Sequence, residues 1–209
     1  MIIIPSILTN DKDELSLLIS KAEDIVERVQ IDVVDHKFAD NLTVDPEILK
    51  TIKTNLDLDF HLMVKNPIEW IDHCIHGGEH RIIGQIEQME SQKAFVEKVI
   101  TESKAGLAVD LPTGLERLDQ DVLSKVSVVL LMSVKAGWGG QEFDLEVFSK
   151  IEKLDRIRKE LKLKFRICVD GGVTKKLVED MERTGVDEVA IGRKILEGDL
   201  EANIRMFNG

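Results

Sequence analysis

V-S-V-V-L-L-M-S-V, Val126 to Val134, is the longest apolar run in the chain. It is followed by K-A-G-W-G-G-Q, a charged amphipathic segment from Phe143 to Leu161, and a second apolar run, F-R-I-C-V-D, from Phe165 to Asp170. A membrane span needs roughly 18 residues, twice what this run offers, so it reads as a strand buried on both faces. A buried strand, an amphipathic helix and another buried strand compose one parallel βαβ unit.

The same alternation extends to both ends of the chain. Strands are expected at Ile2–Pro5, Val29–Val34, Leu58–Met63, Glu79–Gln85, Ala105–Val109, Val126–Ser133, Phe165–Asp170 and Glu188–Ile191. Between them, Asp13–Glu27 places Leu15, Leu17, Leu18, Ala22, Ile25 and Val26 at helical spacing among charges. Asp45, Pro46 and Glu47 supply a capping side chain, an N1 proline and an acidic first turn for a second helix. Asn66 and Pro67 open a helix through His76 that Gly77 and Gly78 end, and Thr174 is placed to cap a helix to Arg183. The 209 residues divide into eight βα units of about 26 residues each. Such units close into a (β/α)8 TIM barrel or open into a doubly wound sheet, and the count of eight favours the barrel. With no linker-like stretch, residues 1–209 read as one domain.

Composition narrows the function classes. Twenty-eight basic against 39 acidic residues give a net charge of −11, which argues against nucleic acid and against anionic lipid as partners. A small anion is still admissible, because backbone amides act at contact distance. Met1 to Leu8 lacks the basic stretch of a signal peptide, and Cys74 and Cys168 lie far apart in ordinary sequence. The expectation is a cytoplasmic protein with free thiols.

In such barrels chemistry belongs at the carboxyl ends of the strands. Ser6 follows the first strand, Gln30, Asp32 and Asp35 mark the second, and His61 and Met63 the third. Gln85 and Glu87 end the fourth, Asp110 the fifth, Met132 and Ser133 the sixth, and Asp170 the seventh. Strand parity puts Gln30 on the face of Asp32, and His61 on the face of Met63. Asp32, His61 and Asp170 converging would be costly to bury unpaired, and a divalent cation such as Mn, Fe, Co or Zn would resolve the repulsion. The alternative is that the acids cap loops and His61 is a hydrogen-bonded core residue. Gly171, Gly172 and Gly192 allow backbone N–H groups to approach a phosphate, or else form tight turns. Gly137, Trp138, Gly139 and Gly140 fit a mobile lid with an aromatic cover, or a flexible loop. His73, His76 and His80 are assigned to surface helix and loop positions.

Six ordered segments carry a family pattern: P-S-I-L at Pro5–Leu8, I-D-V-V-D at Ile31–Asp35, H-L-M-V at His61–Val64, L-L-M-S-V at Leu130–Val134, G-W-G-G-Q at Gly137–Gln141 and V-D-G-G-V at Val169–Val173. The chain resembles the ribulose-phosphate 3-epimerase family. The resemblance implies a (β/α)8 barrel that interconverts ribulose 5-phosphate and xylulose 5-phosphate with a divalent metal, and homo-oligomers. It implies Asp32 as proton acceptor and Asp170 as proton donor, with both joined by His61 as ligands of a divalent metal (Zn, Fe, Mn or Co). It further implies that Ser6 touches substrate, Met63 and Met132 line the reacting carbon, and Gly137, Trp138, Gly139 and Gly140 form the lid. Gly171, Gly172, Gly192 and Arg193 match the phosphate cradle.

Several positions depart from the pattern. Gln30 stands where the family has a metal-binding histidine, and an amide oxygen is a poorer partner than imidazole for Zn or Fe. A weaker site, a harder ion such as Mn or Mg, or no ion at all would follow. Gln85 replaces a second histidine, His36 a glycine, Asp110 an asparagine, and Lys135-Ala136 an Asn-Pro pair. Around the mouth, Lys135 or Asp110 would suit the extra hydroxyls of a six-carbon substrate. A relative that binds sugar phosphate without turnover is the remaining alternative.

Overall fold

Apolar residues, isoleucine and valine most often, fill the short runs that pair into β1 (Ile2–Ile7), β2 (Arg28–Val34), β3 (Asp57–Met63), β4 (Arg81–Gln85), β5 (Lys104–Val109), β6 (Val128–Met132), β7 (Arg166–Asp170) and β8 (Glu188–Ile191). The computed structural model describes residues 1–76 and 79–208. All neighbouring strands are parallel, and β8 returns to β1 through the pairs Ile2↔Glu188 to Pro5↔Ile191, closing an eight-stranded barrel. The architecture is the (β/α)8 barrel.

Helices α1 (Lys12–Ala22), α2 (Gln92–Val99), α3 (Val147–Glu160), α4 (Lys175–Met181), α5 (Arg193–Leu196) and α6 (Leu200–Asn208) lie outside, with 3-10 turns at Pro46–Thr51, Pro67–His73 and Leu115–Arg117. Three expectations are corrected here. The helix expected to reach Glu27 stops at Ala22, because Asp24 adopts the left-handed region (φ 64°) that turns the chain toward β2. Asp45 does cap the next segment, accepting from Glu47 N–H at 2.9 Å, but the segment is a six-residue 3-10 helix. The segment opened by Pro67 is likewise 3-10 and ends at His73, and its expected stop at Gly77 and Gly78 lies outside the described residues. Thr174 occupies the cap of α4 without a capping side-chain hydrogen bond.

Two apolar layers hold the barrel. The larger joins the outward faces of the strands to the helices, with Phe60, Phe95 and Phe165 wholly buried. The smaller fills the interior with Ile83, Ala108, Val128, Leu130, Cys168 and Ala190. Both cysteines are free and buried, and burial pushes both thiols up, so they are held neutral.

The amino-terminal end of the interior is closed by charge instead. Asp59 accepts from Arg81 Nε at 2.7 Å and Arg28 Nη1 at 2.6 Å. Glu188 pairs with Arg81 Nη1 at 2.8 Å and Arg166 Nη1 at 2.6 Å. Arg28 also reaches Asp57 at 2.7 Å, so three cations face three carboxylates. Arg81 opens β4 there, two residues after the expected start at Glu79.

His80 is a further correction: it is buried, not at the surface. Its Nδ1 accepts the Leu58 N–H at 3.0 Å, satisfying a backbone donor that the start of β3 leaves open, and burial lowers its pKa. His76 is half-buried, its ring 5.4 Å from that of Phe60, whereas His73 is partly exposed and 2.9 Å from Asp45.

Candidate active site

Strand register alone sets Asp32 beside His61 and Asp170 beside both Met132 and Ala190. Ser6 does not follow β1 but lies within it, paired in register with Gln30, and its hydroxyl donates to Asp32 Oδ2 at 2.6 Å. Gln30, one layer below, donates from Nε2 to Asp32 Oδ1 at 2.8 Å and to Asp170 Oδ2 at 2.6 Å. His61 Nδ1 lies 3.1 Å from Asp32 Oδ1 and 3.6 Å from Asp170 Oδ2. One ligand atom from each of Asp32, His61 and Asp170 falls within 4.8 Å of the others, in a buried cluster.

The electrostatics follow from that crowding. Burial raises the Asp170 pKa and the neighbouring Asp32 charge adds to it, against hydrogen bonds from His61 and Gln30. Burial alone would lower His61, but hydrogen bonds to Asp170 and Asp32 outweigh it and raise the imidazole to about 9. Two carboxylates thus share an imidazole and an amide donor, and a divalent cation would meet the same need for positive charge.

Above this centre opens a cavity of about 670 Å³. Ser6, Asp32, Met63, Met132 and Asp170 line it, together with Gly137 to Gly140, Gly171, Gly172, Gly192 and Arg193. The structure therefore brings Ser6, the acid pair, both methionines, the Gly137–Gly140 segment and the cradle residues to one place, with His61 and Gln30 just beneath the lining. The departures are distributed otherwise than the motifs suggest. His36, Asp110 and Lys135 do not line the cavity; one Asp110 oxygen accepts from Leu111 N–H at 2.8 Å and Ala136 N–H at 2.9 Å, a loop-capping role. Asp35 is also a cap, accepting from Lys37, Phe38 and Lys65 N–H groups at 2.7–3.0 Å.

Glycine is required along the rim, as two positions show. Gly172 has φ 57°, and a Cβ there would stand 2.4 Å from the Phe143 backbone nitrogen. Gly140 has φ 78° and lies against the Arg193 guanidinium. Three tethers went unnoticed in the sequence. Asn41 Nδ2 donates to Gly137 O at 2.8 Å, Gln141 Nε2 to Lys135 O and Trp138 O at 2.7 and 2.8 Å, and Lys194 Nζ to Gly172 O and Val173 O at 3.0 and 3.1 Å. Asn41 was legible only as one polar residue in a polar loop.

A closed parallel barrel with two buried acids under a glycine-rimmed mouth at the carboxyl ends of its strands is the arrangement of a (β/α)8-barrel enzyme. Residues 2–196 match the Ribulose-phosphate 3 epimerase family model, and the chain belongs to that family of isomerases. It is 32% identical over 202 residues to the ribulose-phosphate 3-epimerase of Escherichia coli (strain K12), covering 94% of this chain and 89% of that one. To that of Aquifex aeolicus it is 31% identical over 210 residues, covering 96% and 92%. Among solved structures, the 3-keto-L-gulonate-6-phosphate decarboxylase of Vibrio cholerae superposes with a TM-score of 0.72 at 11% identity, covering 100% of this chain and 95% of that one, a likeness of fold. No helix among the described residues is long and apolar enough to cross a membrane.

Proposed function

We propose that the protein interconverts D-ribulose 5-phosphate and D-xylulose 5-phosphate by proton transfer at carbon 3. The observation that carries this reading is the approach of Asp32 on β2 and Asp170 on β7, three strands apart around the barrel, at the floor of a cavity rimmed by Gly171, Gly172, Gly192 and Arg193. The carbon 3 proton is acidic because the adjacent ketone spreads the resulting charge into an enediolate. Asp32 removes that proton from one face, and Asp170 delivers one to the other, so the configuration inverts without either acid moving. This division needs one carboxylate and one carboxylic acid at the start, and the raised pKa of Asp170 favours its role as the donor. Ser6 and Gln30 hold the Asp32 carboxylate in place through its two oxygens. Met63 and Met132 give the planar intermediate polarizable walls that do not titrate. The glycine loops take the phosphate on backbone N–H groups, fixing carbon 3 between the acids, and the segment around Trp138 excludes water.

Asp32, His61 and Asp170 fit a divalent cation: three buried side chains, each offering a ligand atom to one centre. When bound, such an ion supplies charge stabilisation for the developing enediolate. Gln30 presents its amide nitrogen to that centre, not its oxygen, and this supports a weaker hold and Mn²⁺ over Zn²⁺. A panel of pentulose and hexulose phosphates, assayed with and without added Mn²⁺, tests the assignment. Turnover of ribulose 5-phosphate above all others is expected, and binding without turnover of any would overturn it.

A further inference from the structure

We propose that Gln85 is a positioning residue that fixes which nitrogen of His61 faces the acid pair, and that Glu87 fixes Gln85. The proposal deepens the functional reading above and rests on it. Gln85 ends β4, is wholly buried, and has three polar neighbours around its amide: the Ala108 carbonyl, a Glu87 carboxylate oxygen and His61 Nε2. The carbonyl and the carboxylate only accept, so the amide nitrogen belongs on their side, donating to Ala108 O at 3.2 Å and Glu87 Oε2 at 2.6 Å. The opposite orientation would set the amide oxygen against two acceptors. The amide oxygen is then left 3.1 Å from His61 Nε2, where it accepts only if that nitrogen carries a hydrogen.

The direction of every bond follows from one fixed end. Glu87 Oε1 accepts the Asp110 backbone N–H at 2.9 Å, which anchors the carboxylate to the end of β5. From there the polarity runs through the Gln85 amide to His61 Nε2–H and leaves Nδ1 aimed at Asp32 and Asp170. Gln30, on the other side of the ring, is 3.5 Å from Nδ1, at the limit of a hydrogen bond, and spends its amide nitrogen on the two carboxylates at shorter range. Gln85 therefore holds the ring from the side away from the acid pair, which engages Nδ1 on the other. An imidazole without it could turn over and exchange a nitrogen for a carbon at the centre.

NMR of the histidine ring nitrogens in the ion-free full chain, together with Mn²⁺ binding followed by electron paramagnetic resonance, tests the proposal. In the parent protein, the His61 Nε2–H is expected as a hydrogen-bonded, slowly exchanging signal. Gln85→Leu should lose that signal and weaken Mn²⁺ binding by about ten- to a hundredfold, the usual cost of removing an outer partner of a metal-ligating histidine. Gln85→Glu alone sets a carboxylate against Glu87 and Ala108. Combined with Glu87→Gln it reverses donor and acceptor between the two positions, leaves only Ala108 O facing the carboxylate, and should restore part of the His61 signal. An unchanged signal in Gln85→Leu, or a double variant no better than Gln85→Glu, would overturn the proposal. A folded parent protein that turns over no ribulose 5-phosphate would overturn the functional reading instead, and the ring-nitrogen signal would still decide the placement of His61.

Discussion

Asp32 and Asp170, 138 positions apart in sequence, are joined by a single amide: Gln30 Nε2 donates to Asp32 Oδ1 at 2.8 Å and to Asp170 Oδ2 at 2.6 Å. The amide offsets part of the repulsion between two buried carboxylates. It also occupies the approach to the centre from below, so substrate can reach the acids only from the cavity above.

Replacing Gln30 by histidine exchanges this donor for a borderline-soft ligand. Gln30→His is expected to raise affinity for Zn²⁺ relative to Mn²⁺. Metal analysis of protein purified without chelators, followed by competition between the two ions, measures the shift. Stoichiometric, tightly held zinc in the parent protein would contradict the weaker-site reading.

Gly172→Ala places a methyl group 2.4 Å from the Phe143 nitrogen at a position with φ 57°. The loop must move, and about 1–2 kcal/mol of backbone strain comes with it. The expected result is a KM raised by about tenfold, the equivalent of 1.4 kcal/mol, with kcat reduced less. Steady-state kinetics and competition by inorganic phosphate check this. A change confined to kcat would remove the loop from phosphate binding.

The charge plug at the base of the barrel predicts a stability effect. Arg81→Met leaves buried Asp59 and Glu188 with one cation fewer each, although Arg28 and Arg166 remain beside them. A loss of about 3 kcal/mol is expected, at the low end for breaking a buried pair. Urea unfolding followed by circular dichroism measures it, and a loss within experimental scatter would show the plug to be replaceable.

His80 gives a pH dependence of known sign. Its pKa is lowered in the folded state, chiefly by burial, so the folded chain prefers the neutral ring. The stability this contributes is present above the unfolded pKa of about 6.5 and is lost as pH falls through the lower folded value. His80→Asn keeps an acceptor for Leu58 N–H and removes the titration. Relative to that variant, the parent protein should lose stability as pH falls below about 6.5. Parallel curves would contradict the assignment.

The fold was legible because each buried parallel strand is a short apolar run, and those runs survive reading without coordinates. Strand ends and the acids on them follow from parity, which is why Asp32, His61 and Asp170 could be brought together from sequence. Helix lengths were not legible: Asp24 stops α1 by a backbone conformation that asparagine and aspartate tolerate but do not announce. Nor were the tethers, since Asn41 reaches Gly137 across 96 positions. Arg81 and Glu188 lie within two separate expected strands, and only barrel closure makes them each other's partners.

Deuterium exchange with single-acid variants tests the two-acid account most directly. In deuterium oxide, Asp170→Asn retains the acid that attacks ribulose 5-phosphate and should label its carbon 3 without forming xylulose 5-phosphate. Asp32→Asn should label xylulose 5-phosphate and leave ribulose 5-phosphate unlabelled, with interconversion reduced by about a thousandfold or more in both variants. Labelling of the opposite epimer by each variant, or interconversion by either at the parent rate, would contradict the assignment of one acid to each face.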